Sequence, residues 1–206
     1  MTRLPPHENC LDKAQRLIKK QGGIIRTADA IRAGIHPRTL YNLRNNGTIE
    51  QLSRGVFRLA DHTPVSNPDL VVVALRIPNG IICLVSALAF HGITTQIPHA
   101  VSIAQAKGSE LPRLAFPPLI VHRFSGPSLN SGIEIHFIDG VPVKIFSPEK
   151  TLADCFKFRN KIGLDIFLEA LRFLKNRNKL NISQLLKFAA ICRVERAMRP
   201  YLEATV

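Results

Sequence analysis

Apolar positions in the first third of the chain recur at helical spacing and then switch to the shorter period of strands. Leu11, Ala14, Leu17 and Ile18 make a stripe at i, i+3, i+6 and i+7. It predicts a helix over residues 9–21, with Lys13, Arg16, Lys19 and Lys20 on its solvent side. Gly22-Gly23 breaks that helix, and Ile24-Ile25-Arg26 fits a short strand. A second helix is predicted from Thr27, a residue type suited to an N-cap. It carries Ala30, Ile31 and Ala33 inward and stops at Gly34, where the turn needs positive φ. His36 and Pro37 open a third helix, because proline is well tolerated at the first helical position. On it Leu40 and Leu43 face the core, leaving Arg38, Thr39, Tyr41, Asn42, Arg44 and Asn45 on the outer faces, and Asn46-Gly47 ends it.

Ile49 to Leu52 and Val56 to Leu59 are strand-like runs on either side of Ser53-Arg54-Gly55. They predict a hairpin with a basic, flexible tip. Helix, turn, helix and hairpin in this order read as a winged helix-turn-helix over Thr27 to Leu59. The bland reading is a small helical bundle whose hairpin happens to be basic. In the first reading the third helix lies in the major groove, where arginine pairs with guanine and asparagine with adenine. Arg54 at the tip then reaches a phosphate or the minor groove, Arg58 the nearby backbone, and Lys19, Lys20 and Arg26 further phosphates.

Turn residues from Ala60 to Pro68 predict a linker. Residues 69–77 and 81–92 read as two helices, the second rich in small apolar residues and therefore buried. Then His99 to Ile103, Leu119 to Phe124, Ile133 to Phe137 and Val141 to Phe146 are β-branched runs of strand length. Asp139-Gly140 is a strong hairpin signal between the last two. The loop Gln105 to Pro118, with Gly108 and three prolines, is expected to be long and mobile. From the cap pair Ser147-Pro148 onward the pattern is helical again. Leu152, Cys155 and Phe156 line the first inner face, Leu164 to Leu174 the next, then Leu185 to Ala189, and Val194 to Leu202 the last. The expected fold class is α+β: an N-terminal winged helix-turn-helix, then a second domain with a small, mostly antiparallel sheet and a C-terminal bundle of four helices.

Charge sharpens this picture. The 206 residues carry 28 Lys+Arg against 15 Asp+Glu, a net charge of +13 and a pI near 10.2. Residues 1–60 are net +7, residues 61–149 net −1 and residues 150–199 net +8. Two basic ends around a neutral middle suggest two separate surfaces for polyanions, with salt-sensitive binding. The second surface would comprise Lys150, Lys157, Arg159, Lys161, Arg172, Lys175, Arg177 and Lys179. Solvation of exposed faces, and favourable placement at a helix C-terminus, account for part of that excess. The cysteines Cys10, Cys83, Cys155 and Cys192 lie far apart, without metal-site spacing, and read as free thiols of a reducing compartment. Residues 1–10 show no secretory leader, and no apolar run is long enough for a membrane span, so a soluble cytoplasmic protein is expected. No cofactor and no metal are implied.

Two enzymatic patterns are weaker than they first look. Ser86 and His91 are five residues apart and do not share a helix face, so His91 reads as a hydrogen-bonded helix end before Gly92. Glu134, Asp139 and Lys144 sit on or between strands, as in metal-dependent nucleases, but Asp139 is explained by its turn and Glu134 pairs naturally with His136 on the same strand face.

The order of features resembles the AbiEi family, antitoxins of bacterial abortive-infection toxin–antitoxin pairs. The resemblance rests on Ser86-Ala87-Leu88-Ala89-Phe90-His91-Gly92-Ile93, on Ser147-Pro148-Glu149-Lys150-Thr151-Leu152-Ala153-Asp154 and on Met198-Arg199-Pro200-Tyr201-Leu202-Glu203-Ala204. It implies a winged helix-turn-helix domain at 1–60, a linker at 61–68 and an antitoxin-type α+β domain at 69–206. It also implies a repressor that binds inverted repeats upstream of its own operon and counteracts a cognate toxin, commonly a nucleotidyltransferase. Three alternatives stay open: an antitoxin that captures its partner by direct binding, a regulator without a toxin, and an enzyme acting on nucleic acid.

Overall fold

The computed structural model describes residues 10–61 and 66–205. Most of the expected linker, at 62–65, and nearly all of the segment read for a leader lie outside the described residues. Two compact units make up the chain. One holds residues up to Leu75 together with Phe137–Pro142; the other holds Arg76–His136 and Val143 onward. The division therefore falls at Leu75, beyond the expected linker.

In the first unit, α1 (Cys10–Lys20) is followed by β1 (Ile24–Arg26), α2 (Thr27–Arg32), α3 (Pro37–Asn45), β2 (Ile49–Ser53), β3 (Val56–Leu59) and α4 (Pro68–Arg76). The strands form an antiparallel sheet in the order β1-β3-β2. Ala14, Ile18, Ile25, Ala30, Ile35, Leu40, Leu43, Ile49, Phe57 and Leu59 close one core beneath it. Burying a leucine such as Leu40 or Leu43 contributes roughly 1.5–3 kcal/mol, which fixes the roll of α3. Three local expectations change. Arg26, not Thr27, occupies the N-cap of α2, and the Thr27 hydroxyl turns to the Gly55 carbonyl at 3.5 Å. Ile31 is exposed, and Ile35, just past the Gly34 turn, fills the core in its place. Ala33 is only partly covered.

The second unit contains β4 (Ile81–Ile82), α5 (Leu84–Phe90), β5 (Val101–Ala106), β6 (Leu119–Phe124), α6 (Pro127–Asn130) and, apart from residues 137–142, β7 (Ile133–Ile138) and β8 (Val141–Phe146). Helices α7 (Pro148–Lys157), α8 (Arg159–Ile162), α9 (Leu164–Asn176), α10 (Ile182–Ile191) and α11 (Glu195–Thr205) follow. The expected four helices are thus joined by the single turn α8. The sheet runs β6-β5-β4-β8-β7 and is mixed, not mostly antiparallel: β5 pairs parallel with β6, and β4 parallel with β8. The physical reason lies in the connections. The long segment 107–118 returns the chain to the start of the sheet, so β6 enters in the direction of β5, whereas a tight turn would reverse it. The predicted helix over 81–92 is also shorter than expected, because Ile81-Ile82 is spent as a central strand and Cys83 caps the helix that follows. The largest core of the unit packs Phe146, Leu152, Phe156, Phe167, Leu171 and Met198 between sheet and helices.

Candidate nucleic-acid interface

Helix α3 is set by three local devices. The His36 ring nitrogen Nδ1 accepts from the Arg38 amide at 3.2 Å, Pro37 occupies the first turn, and Asn46-Gly47 ends the helix with Gly47 at φ +76°. With Leu40 and Leu43 inward, Arg38, Tyr41, Asn42, Arg44 and Asn45 are exposed. Arg44 is the most organised of them. Its guanidinium carbon lies 5.2 Å from the centre of the Tyr41 ring, Nη2 donates to Asn45 at 3.2 Å, and Nη1 reaches Gln51 on β2 at 3.5 Å. An arginine stacked on an aromatic face loses fewer rotamers when it pairs with a planar acceptor.

Thr39 must be withdrawn from that outward set. It is only 8% exposed, and its hydroxyl sits 3.6 Å from the Cys10 sulfur. Thr39 and Leu43 are i, i+4 partners on the inward stripe, so the period that buries Leu43 also buries Thr39.

The hairpin places Arg54 at its exposed tip beside Gly55, which takes φ +77°. Arg58 departs from expectation. It faces Glu50 across the strands, Nε donates to that carboxylate at 2.7 Å, and its side chain is mostly covered. Cross-strand opposition of unlike charges explains the pair and removes Arg58 from the groups presented to a phosphate. Arg26 is likewise engaged. It pairs with Asp29 and donates to the Leu75 carbonyl at 3.1 Å. The hydrogen bond to Asp29 raises the Arg26 pKa and lowers that of Asp29. Lys19 and Lys20 remain exposed in the last turn of α1. Sequence reasoning missed Gln51, whose polar side chain on β2 steers Arg44. It also missed Arg32, which shares Asp29 with Arg26 and stays largely exposed. The i, i+3 spacing of Tyr41 and Arg44 was the available signal for their stacking.

The C-terminal basic residues do not form the single set read from the sequence. Lys150 is completely buried: its Nζ is 2.5 Å from Asp154 Oδ2 and 4.1 Å from the centre of the Phe146 ring. Cys192 donates to the other Asp154 oxygen at 3.2 Å. Burial raises the Asp154 pKa, against the lowering effect of Lys150, and pushes the Cys192 thiol up to about 12. Arg159 is half-buried over Phe156 and donates to its carbonyl at 2.9 Å. Lys157, Lys161, Arg172, Lys175, Arg177 and Lys179 are exposed.

The groups weighed for catalysis are taken up by structure. Ser86 Oγ accepts from the Ser102 amide at 2.9 Å, while His91 Nε2 donates to the Phe146 carbonyl at 2.8 Å. Glu134 accepts from His136 at 2.9 Å, Asp139 accepts from the Ser66 amide at 3.1 Å, and Lys144 donates to the Pro78 carbonyl at 3.0 Å. Among the described residues no three His, Cys, Asp or Glu side chains converge as metal ligands, and no helix is long and apolar enough to cross a membrane.

Residues 12–60, which carry α1 through the hairpin, match the family described as "Transcriptional regulator, AbiEi antitoxin". The match agrees with the resemblance over this segment and likens it to antitoxin-type transcriptional regulators; the motifs at 86–93, 147–154 and 198–204 lie outside it. The RV2827C protein from Mycobacterium tuberculosis has a similar fold in its crystal structure, with a TM-score of 0.58 and 14% identity, covering 92% of this chain and 73% of that one. No curated protein matches.

Proposed function

We propose that this chain is a DNA-binding transcriptional repressor whose first unit is a winged helix-turn-helix, α3 being the recognition helix and the β2–β3 hairpin the wing. The observation that carries the reading is the outer face of α3, where Arg38, Tyr41, Asn42, Arg44 and Asn45 stand exposed with Arg44 held against Tyr41. The family match over the same segment supports it. Arg44 and Asn42 have the chemistry to read guanine and adenine edges, while Lys19, Lys20 and Arg54 have the charge to fix register on phosphates. Arg26 and Arg58 hold the scaffold instead.

The second half of the proposal is an antitoxin role, exerted where the DNA is, against a cognate toxin of nucleotidyltransferase type. The family description supports the antitoxin role, and the toxin's type follows only from the resemblance of the sequence. Gel shifts test the first half: the full chain should retard the duplex upstream of its own gene at salt concentrations where a scrambled duplex runs free. Equal retardation of both duplexes overturns the repressor reading. Co-purification with the product of the adjacent gene tests the second half, and its failure leaves the DNA result untouched.

A further inference from the structure

Strand β7 is built inside out. It is an outer strand of its sheet, and among the described residues no strand pairs with its free edge. Three of its four apolar residues face solvent, Ile133 being 37% exposed, Ile135 60% and Phe137 75%, while Ile138 is buried. The alternate positions Glu134 and His136 are half-buried, bonded to each other, and the His136 ring packs 4.8 Å from that of Phe90. Edge strands are normally guarded by lysine, proline or a bulge, because their free amides and carbonyls template pairing. Ile-Glu-Ile-His-Phe-Ile contains neither lysine nor proline.

We propose that this edge pairs with the same edge of a second copy of the chain, antiparallel and two-fold about Ile135. The argument is one of register. In that alignment Ile133 of each copy meets Phe137 of the other, the two Ile135 side chains meet on the axis, and Glu134 of each copy meets His136 of the other. Apolar meets apolar on one face, and a carboxylate meets an imidazole twice on the opposite face. Sliding by two residues in one direction sets Glu134 against its own copy; sliding in the other sets His136 against its own copy. Both alternatives lose the carboxylate–imidazole pairing, so that pairing selects the centred register. A symmetric contact of this kind is isologous and closes at two copies.

The inference does not rest on DNA binding, and its test contains no DNA. Six-residue strands bury little surface, so association should be weak, with half-dimerisation expected at about 10–100 µM. Sedimentation equilibrium of the full chain should show the mass rising from one copy to two across that range and stopping there. Ile135→Lys, at an exposed position, should hold the chain at one copy throughout. Glu134→Lys should weaken pairing by about tenfold, since each new lysine loses one complementary contact on either side of the axis. One copy at every concentration overturns the proposal. So does a dimer that Ile135→Lys leaves intact, or a mass that climbs past two without a plateau.

Discussion

Helices α3 and α7 begin with the same device and then use their polar residues in opposite ways. Each has a capping side chain, His36 or Ser147, followed by proline in the first turn. On α3 the inward stripe is narrow, so Arg38, Arg44 and the asparagines Asn42 and Asn45 stay in solvent. On α7 every residue from Lys150 to Phe156 is buried, and Lys150 and Asp154 neutralise each other inside the core. The same residue class is an exposed surface in one unit and an internal strut in the other. What decides is how much of the helix circumference its neighbours cover: α7 packs against α5, α9 and α10, whereas α3 leaves one side open.

The comparison breaks most easily at Lys150. Lys150→Ala should destabilise the protein by about 3–5 kcal/mol, because Asp154 loses its cationic partner in an apolar core where burial already disfavours its charge. Chemical denaturation measures this. Replacing both partners, Lys150→Met with Asp154→Leu, should restore much of the loss, which a surface lysine would never require.

A smaller effect comes from pH. Burial lowers the pKa of His91 and, together with Lys161, that of His122. A histidine depressed in the folded state binds its proton more readily when unfolded. Its contribution is therefore complete above about pH 6.5 and declines as pH falls below that value. In the first unit Asp29 is depressed by its hydrogen bond from Arg26, so that contribution is complete above about pH 4 and declines only below it. Thermal melts between these two values should show a decline that His91→Gln flattens. The smallest effect belongs to Arg44→Ala, which should change folding stability by no more than about 0.5 kcal/mol, as expected of an exposed side chain.

Much of the first unit was legible because its signals are local. Pro37, the Leu40–Leu43 pair and Gly47 fix α3 without reference to anything distant. The errors there came from pairing. Thr39 lies on the inward stripe, and the hairpin register sets Arg58 opposite Glu50. In the second unit the long connection 107–118 hid the parallel strands, and Ile81-Ile82 looked helical because its sheet neighbours, β5 and β8, are remote in sequence. Lys150 was read as surface because lysine is so rarely buried. Its i, i+4 spacing from Asp154, in the middle of a buried run, was the overlooked sign.

The central claim is that α3 reads bases while the lysines of α1 supply position. Fluorescence anisotropy on a set of duplexes differing by single base pairs, repeated across salt, separates the two roles. Arg44→Ala should lose about 1–3 kcal/mol of discrimination at one base pair, whereas Lys20→Ala should weaken all duplexes alike and reduce the salt slope by about one. Wild-type protein that binds every duplex equally, or an Arg44→Ala variant with unchanged base preference, would contradict the account.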